Sequence, residues 1–129
     1  IEITERCRDL PVSMIKKTVT ALREAGIHIT MDDYGTGSSS SQMILELPVE
    51  GIKIDMCFVS DIFEEKKKQA LVIGMVNFAH AADLRICIEG IENSDLESYL
   101  RQFDVTLFQG YHYSKPICQD ELMKLLIKP

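Results

Sequence analysis

The chain has 129 residues, 46% apolar and 26% charged, the composition of one folded globular domain and not of a disordered tail. Fourteen Lys and Arg against twenty Asp and Glu give a net charge of -6, which argues against bulk affinity for nucleic acid or an anionic bilayer. No apolar run approaches the roughly 20 residues a membrane-spanning helix needs, and no basic-then-apolar leader opens this stretch. The chain starts at Ile1, inside an apolar pattern, which predicts a piece of a longer polypeptide. The four cysteines, Cys7, Cys57, Cys87 and Cys118, form no C-x-x-C pair and are widely spaced, so reduced thiols in a cytoplasmic protein are expected.

In chain order, the first strand is expected at 1–5, reading IEITE. A helix follows over 12–25, with Ile15, Val19 and Leu22 on one stripe, Pro11 at its start and Gly26 at its stop. The second strand, 27–33, reads IHITMDD and runs into the loop Tyr34-Gly35-Thr36-Gly37 and four serines. A short segment, SQMILEL, ends before Pro48, and the third strand spans 51–55. The run Glu64 to Lys68 reads as a solvated helix entry, and the helix over 67–82 places Val72, Met75, Val76 and Ala79 on one face. Strands are expected again at 84–89 and 104–109, and QDELMKLLI closes the chain as a helix with Asp120 near its start. Strand followed by helix, repeated, predicts parallel βα units in an α/β fold.

The alternation along these strands carries the functional signal. Ile1 and Ile3 oppose Glu2 and Thr4; Ile29 and Met31 oppose Thr30 and Asp32; Ile52 and Ile54 oppose Lys53 and Asp55; Ile86 and Ile88 oppose Cys87 and Glu89. A parallel strand covered on both faces would be apolar on both. One apolar and one charged face fit the lumen of a barrel or the mouth of a cleft, and most of the charges fall at C-terminal strand ends, where such folds place their active sites. The fifth strand breaks the pattern, because Gln109 shares parity with Val105 and Leu107, so a bulge or strand end is needed to turn it inward.

Glu2, Asp32, Asp33 and Glu89 would thus meet at one mouth. Any one of them alone is most simply a surface carboxylate, but four at equivalent strand positions repel one another and need protons, partners or cations. An all-oxygen set suits Mg²⁺ or Mn²⁺, and Lys53 could neutralise part of the charge. The Gly35-Thr36-Gly37 loop is by default a surface turn, but it grows directly from the Asp pair and offers N–H and hydroxyl groups to phosphate. His28, His80 and His112 lack metal-site spacing; His28 and His80 are expected to be structural or solvent-facing.

Together, E-I-T-E at 2–5, D-D-Y-G-T-G at 32–37, L-P-V-E-G-I-K-I-D at 47–55, I-E-G-I-E at 88–92 and Q-G-Y-H-Y-S-K-P at 109–116 resemble the EAL family, bacterial phosphodiesterases that open cyclic di-GMP. The series runs in the family's order across essentially the whole chain. The resemblance implies a modified TIM barrel with a two-metal site of Mg²⁺ or Mn²⁺. It implies that Glu2, Asp32 and Glu89 are metal ligands, that Asp33 bridges the metals, and that Lys53 contacts and helps activate the attacking water. Gln109 is implied to hold that water or the metal shell, with Glu89 and Lys53 completing the catalytic set. Glu5 and Glu92 are implied to support these ligands from behind, Glu5 steadying the loop of Gly35, Thr36 and Gly37, which in the family couples the metals to a dimer interface.

The implied reaction yields linear pGpG. The Glu-Ala-Leu signature and the Asn ligand that precedes E-I-T-E in the family are absent, so residues 1–129 are expected to be the C-terminal portion of the domain, half of a TIM-like barrel. Ser38 replaces a common aromatic and Met56-Cys57 replace Arg-Ser. With its metal shell incomplete, the isolated fragment is expected to be inactive, and with open sheet edges it is expected to form a homodimer or join the missing half-barrel. The parent protein is expected in the cytoplasm, with membrane anchorage only through other domains. The competing reading is a catalytically silent cyclic di-GMP receptor or protein-interaction module; a weaker one is an unrelated metal-dependent barrel enzyme.

Overall fold

The structure is a computed structural model that describes residues 1–4, 10–37 and 40–127; Glu5, Cys7 and Ser38 lie outside the described residues. Five strands, β1 (Glu2–Ile3), β2 (Thr30–Tyr34), β3 (Gly51–Ile54), β4 (Arg85–Ile88) and β5 (Leu107–Phe108), form one sheet in sequential order. Every neighbouring pair is parallel. The helices α1 (Val12–Glu24), α2 (Ser40–Glu46), α3 (Lys66–Ala81) and α4 (Ser94–Arg101) fall between successive strands, and α5 (Gln119–Leu126) follows the last. A parallel ladder needs a crossover between each pair of strands, and α1 to α4 supply one each.

The register aligns the apolar side chains in layers. Met31 lies level with Ile52, and Ile52 with Ile86; Tyr34 lies level with Ile54, Ile54 with Ile88 and Ile88 with Phe108. Met31, Ile52, Ile54, Ile86 and Ile88 have no exposed surface. Against them α1 buries Ile15 and Val19, α3 buries Val72, Met75, Val76 and Ala79, and α4 buries Leu96 and Leu100. Each such side chain contributes about 1.5–3 kcal/mol of burial energy, so this face of the sheet dominates the stability of the fold. The stripes expected on the first helix and on the helix over 67–82 are the ones buried, with Leu22 partly so.

Three elements differ from the sequence expectation. The outer strands β1 and β5 pair over only two residues each. Helix α4 was not anticipated. Its apolar signal is only Leu96 and Leu100, and its start is set locally, where Asn93 Oδ1 accepts the Leu96 N–H at 2.9 Å and Asp95 and Glu97 occupy the first turn. The lysine-rich entry of α3 is stabilised similarly from outside: Lys68 donates to the Ser60 carbonyl at 2.7 Å and pairs with Glu65.

Candidate active site

The polar face of the sheet converges on one lysine. Lys53, in the middle of β3, is 5% exposed. Its Nζ lies 2.6 Å from Glu89 Oε1, 3.0 Å from Glu2 Oε1 and 3.2 Å from Asp32 Oδ1. Side chains alternate across a strand, so Lys53 must point away from the Ile52 and Ile54 layer. Asp32 reaches it from β2, Glu2 from β1, and Glu89 from the residue following β4, whose N–H is tied to the Ile54 carbonyl at 3.0 Å. Four strands therefore bring three carboxylates and one ammonium to a single point.

Burial by itself would push the Lys53 ammonium down, but the carboxylates of Glu89, Glu2 and Asp32 outweigh it and hold Lys53 above the ordinary lysine value. Lys53 is thus a cation at neutral pH. Cys87, level with it on β4, has its thiol pushed up to about 11, chiefly by burial; it is a protonated thiol at neutral pH. Cys57, Cys87 and Cys118 are all free.

The second acid of the pair is placed by an irregularity. The β2–β3 register shifts between Met31 and Tyr34, and Asp33 has φ 54, a left-handed conformation that Asp tolerates better than most residues. The extra residue changes the alternation: Tyr34 enters the core and stacks on Phe78, while Asp32 and Asp33 both stay partly exposed. Asp33 makes no contact with Lys53 comparable to those of the other three acids. Its carbonyl accepts from the Thr36 N–H at 3.2 Å and the Thr36 hydroxyl at 2.9 Å, closing the turn that carries Gly35 and Gly37. Gly35 is required there, because at φ 94 a Cβ would come 2.4 Å from Met75 Cε of α3.

β5 ends at Phe108, the strand end that Gln109 needed to leave its parity, and Gln109 itself is exposed. It follows Phe108, and its N–H donates to the Ile88 carbonyl at 2.9 Å. With Glu89, Glu92, Met56 and Tyr111 it lines a cavity of about 230 Å³ beside the acid cluster. The sequence marks His112 and Tyr113 through the motif at 109–116, His112 as a residue near the mouth; Glu97, which faces His112 at 3.2 Å, carries no such mark. The other histidines are structural: His28 Nδ1 lies 2.5 Å from Glu50 Oε2, and His80 Nε2 lies 3.0 Å from the Asp104 carbonyl.

Among the described residues no three His, Cys, Asp or Glu side chains form a ready metal cage, because the acids close on Lys53. The donor set nevertheless fits a hard divalent cation: it is entirely oxygen. Asp32 Oδ1 is enclosed and, despite its 3.2 Å approach to Lys53, accepts no aligned hydrogen bond.

The model of the EAL domain family matches residues 1–116. Among curated relatives, the chain is 30% identical over 117 residues to the cyclic di-GMP phosphodiesterase PdeR of Escherichia coli (strain K12), covering 91% of this chain and 18% of PdeR. The crystal structure of the EAL domain of Mycobacterium smegmatis DcpA superposes with a TM-score of 0.90 at 31% identity, over 97% of this chain and 56% of that one. The PaMucR phosphodiesterase in complex with c-di-GMP superposes with a TM-score of 0.84 at 26% identity, over 94% of this chain and 49% of that one. The chain therefore spans less than a fifth of PdeR and about half of each solved chain.

Proposed function

The chain belongs to the EAL domain family, and from that premise we propose that it supplies the C-terminal part of a metal-dependent cyclic di-GMP phosphodiesterase acting in bacterial second-messenger signalling. The observation that carries this reading is the convergence of Glu2, Asp32 and Glu89 on the buried Lys53. PdeR and PaMucR support the substrate.

Glu2, Asp32, Asp33 and Glu89 would hold two divalent cations, Mg²⁺ or Mn²⁺. Such ions, when bound, lower the pKa of a shared water and offset the charge of a phosphodiester. The chain's own residues then have defined tasks. Lys53 is a fixed cation and cannot take a proton; it donates hydrogen bonds to the attacking oxygen and offsets charge developing at phosphorus. Glu89, beside Lys53, would accept the proton the water gives up. Gln109, across the cavity, orients the water. A bond forms between the water oxygen and phosphorus, the bond from phosphorus to the ribose 3′ oxygen breaks, and that oxygen takes up a proton, giving linear pGpG. Glu92, exposed on the cavity wall, and the turn of Gly35, Thr36 and Gly37 support this set; Glu5 is assigned to steadying the same turn.

The isolated chain is proposed to be inactive, its ligand set being partial. Strands β1 and β5 each have one neighbour in the sheet; further barrel strands or a second copy would cover these edges. No helix among the described residues is long and apolar enough to cross a membrane; with an intracellular messenger as its proposed substrate, the domain is proposed to act in the cytoplasm. The test is a chromatographic assay of the full-length protein with cyclic di-GMP and Mg²⁺ or Mn²⁺. The reading expects pGpG; tight binding of cyclic di-GMP without product would assign a receptor instead.

A further inference from the structure

We propose that Glu97 is a positioning residue: from α4 it clamps both limbs of the turn that carries Gln109 and so fixes Gln109 beside Glu89. This rests on the role given to Gln109 above. On one limb, Glu97 Oε2 lies 3.2 Å from His112 Nε2, and the Tyr113 side chain interacts electrostatically with the same carboxylate. On the other, Glu97 Oε1 accepts from Arg101 one helical turn on, and the Arg101 guanidinium lies 5.4 Å from the centre of the Phe108 ring, the residue before Gln109. The glutamate side chain is only 15% exposed.

Apart from these contacts, the turn is held by main-chain hydrogen bonds. Residues 111–114 are exposed, so they gain little from burial. The backbone is stitched to the strand-end segment by the Ile91 N–H donating to the Gln109 carbonyl at 3.1 Å and the His112 N–H to the Ile91 carbonyl at 2.9 Å. These bonds exist only because Gly110 has no side chain: a Cβ there would lie 2.0 Å from the Ile91 carbonyl oxygen. They locate the main chain close to Glu89, and the Tyr113 and Ser114 N–H groups close the outer limb on the Gly110 carbonyl at 3.1 and 3.4 Å, which ties the limb to its own turn but leaves its seating on α4 to side-chain contacts. His112 and Tyr113 supply those contacts, meeting edge to face at 5.3 Å with Glu97 beneath them. The Glu97 carboxyl is held below the usual carboxylate range, first by the Arg101 hydrogen bond, so it is an anion able to hold these donors at neutral pH.

The test compares Glu97→Leu, Glu97→Gln, Gln109→Ala and the double variant Glu97→Leu/Gln109→Ala in the full-length protein. Hydrogen exchange of the His112 and Tyr113 amides and steady-state turnover of cyclic di-GMP are the two readouts. Glu97→Leu is expected to speed exchange at both amides about tenfold without changing exchange in α3, and to lower kcat about tenfold with KM little changed. Glu97→Gln, which keeps one accepting oxygen but turns an NH2 group toward the other limb and loses the charge, should recover only part of both. The double variant should be no slower than Gln109→Ala, because one effect acts through the other. Unchanged exchange, or a loss that adds to that of Gln109→Ala, would overturn the proposal. If the wild-type protein makes no product, the phosphodiesterase reading fails on its own, and exchange at His112 and Tyr113 alone decides whether the clamp exists.

Discussion

Glu89 Oε1 lies 2.6 Å from Lys53 Nζ, and the two residues belong to neighbouring parallel strands whose register sets Lys53 level with Cys87, two residues before Glu89. The pair is closed because the chain runs two residues beyond Cys87, one past the end of β4, toward the rim. Glu2 and Asp32 complete the shell from β1 and β2. A single cation thus offsets three acids, leaving negative charge at the rim for added cations to offset.

Lys53→Met should therefore change how the protein responds to divalent ions. Removing the ammonium leaves three acids without their partner. Glu89 and Asp32 are about 20% exposed and Glu2 is half exposed, so water recovers part of the loss; the expected destabilisation is about 2 kcal/mol, below that of breaking a fully buried pair. Mg²⁺ should raise the melting temperature of Lys53→Met more than that of the wild type, because the freed acids bind it without competition. Calorimetric melts with Mg²⁺ and with EDTA check this, and equal shifts in the two proteins would count against it.

A second prediction concerns acid. Glu50, following α2, receives His28 Nδ1 at 2.5 Å and Arg23 Nη2 at 2.9 Å, with Arg85 at 3.7 Å. The His28 hydrogen bond, with burial opposing and Arg23 assisting, holds its carboxyl below the ordinary 4.5. A depressed native value gives stability that is complete above the unfolded value and is lost as the pH falls through the native one. Urea midpoints should therefore fall below about pH 4.5, and Glu50→Gln should flatten that acid limb while leaving the neutral-pH rim chemistry alone. An unchanged acid limb would show that this cluster does not couple to folding.

Gly110→Ala should damage the site through the backbone. Its Cβ would fall 2.0 Å from the Ile91 carbonyl oxygen and 2.4 Å from the Ile91 nitrogen, so the Gln109 turn must move away from the segment that carries Glu89. The expected cost is about 2 kcal/mol of stability, together with faster amide exchange at Ile91 and His112. Wild-type exchange in the variant would contradict the packing.

Much of this arrangement was legible in the amino acids. The charged parity of Glu2, Asp32, Lys53 and Glu89 depends only on the two-residue period of a strand, and the α3 stripe only on the helical period. What escaped depends on tertiary contact. The bulge at Asp33 is decided by Tyr34 finding space against Phe78, which no local pattern states. Helix α4 buries only Leu96 and Leu100, too few residues for a periodic signal. The Glu97 clamp joins residues 15 and 16 positions apart, and its strongest trace in the sequence is an unremarked glutamate one turn before Arg101.

The measurement that bears most directly on the central claim is Mn²⁺ binding to the full-length protein, followed by electron paramagnetic resonance, for the wild type and for Asp32→Asn. If acids from successive strands share one cation site, the wild type should bind Mn²⁺ at a defined stoichiometry and Asp32→Asn should lose affinity by about tenfold or more. Equal Mn²⁺ binding by the two proteins, or none by the wild type, would contradict it.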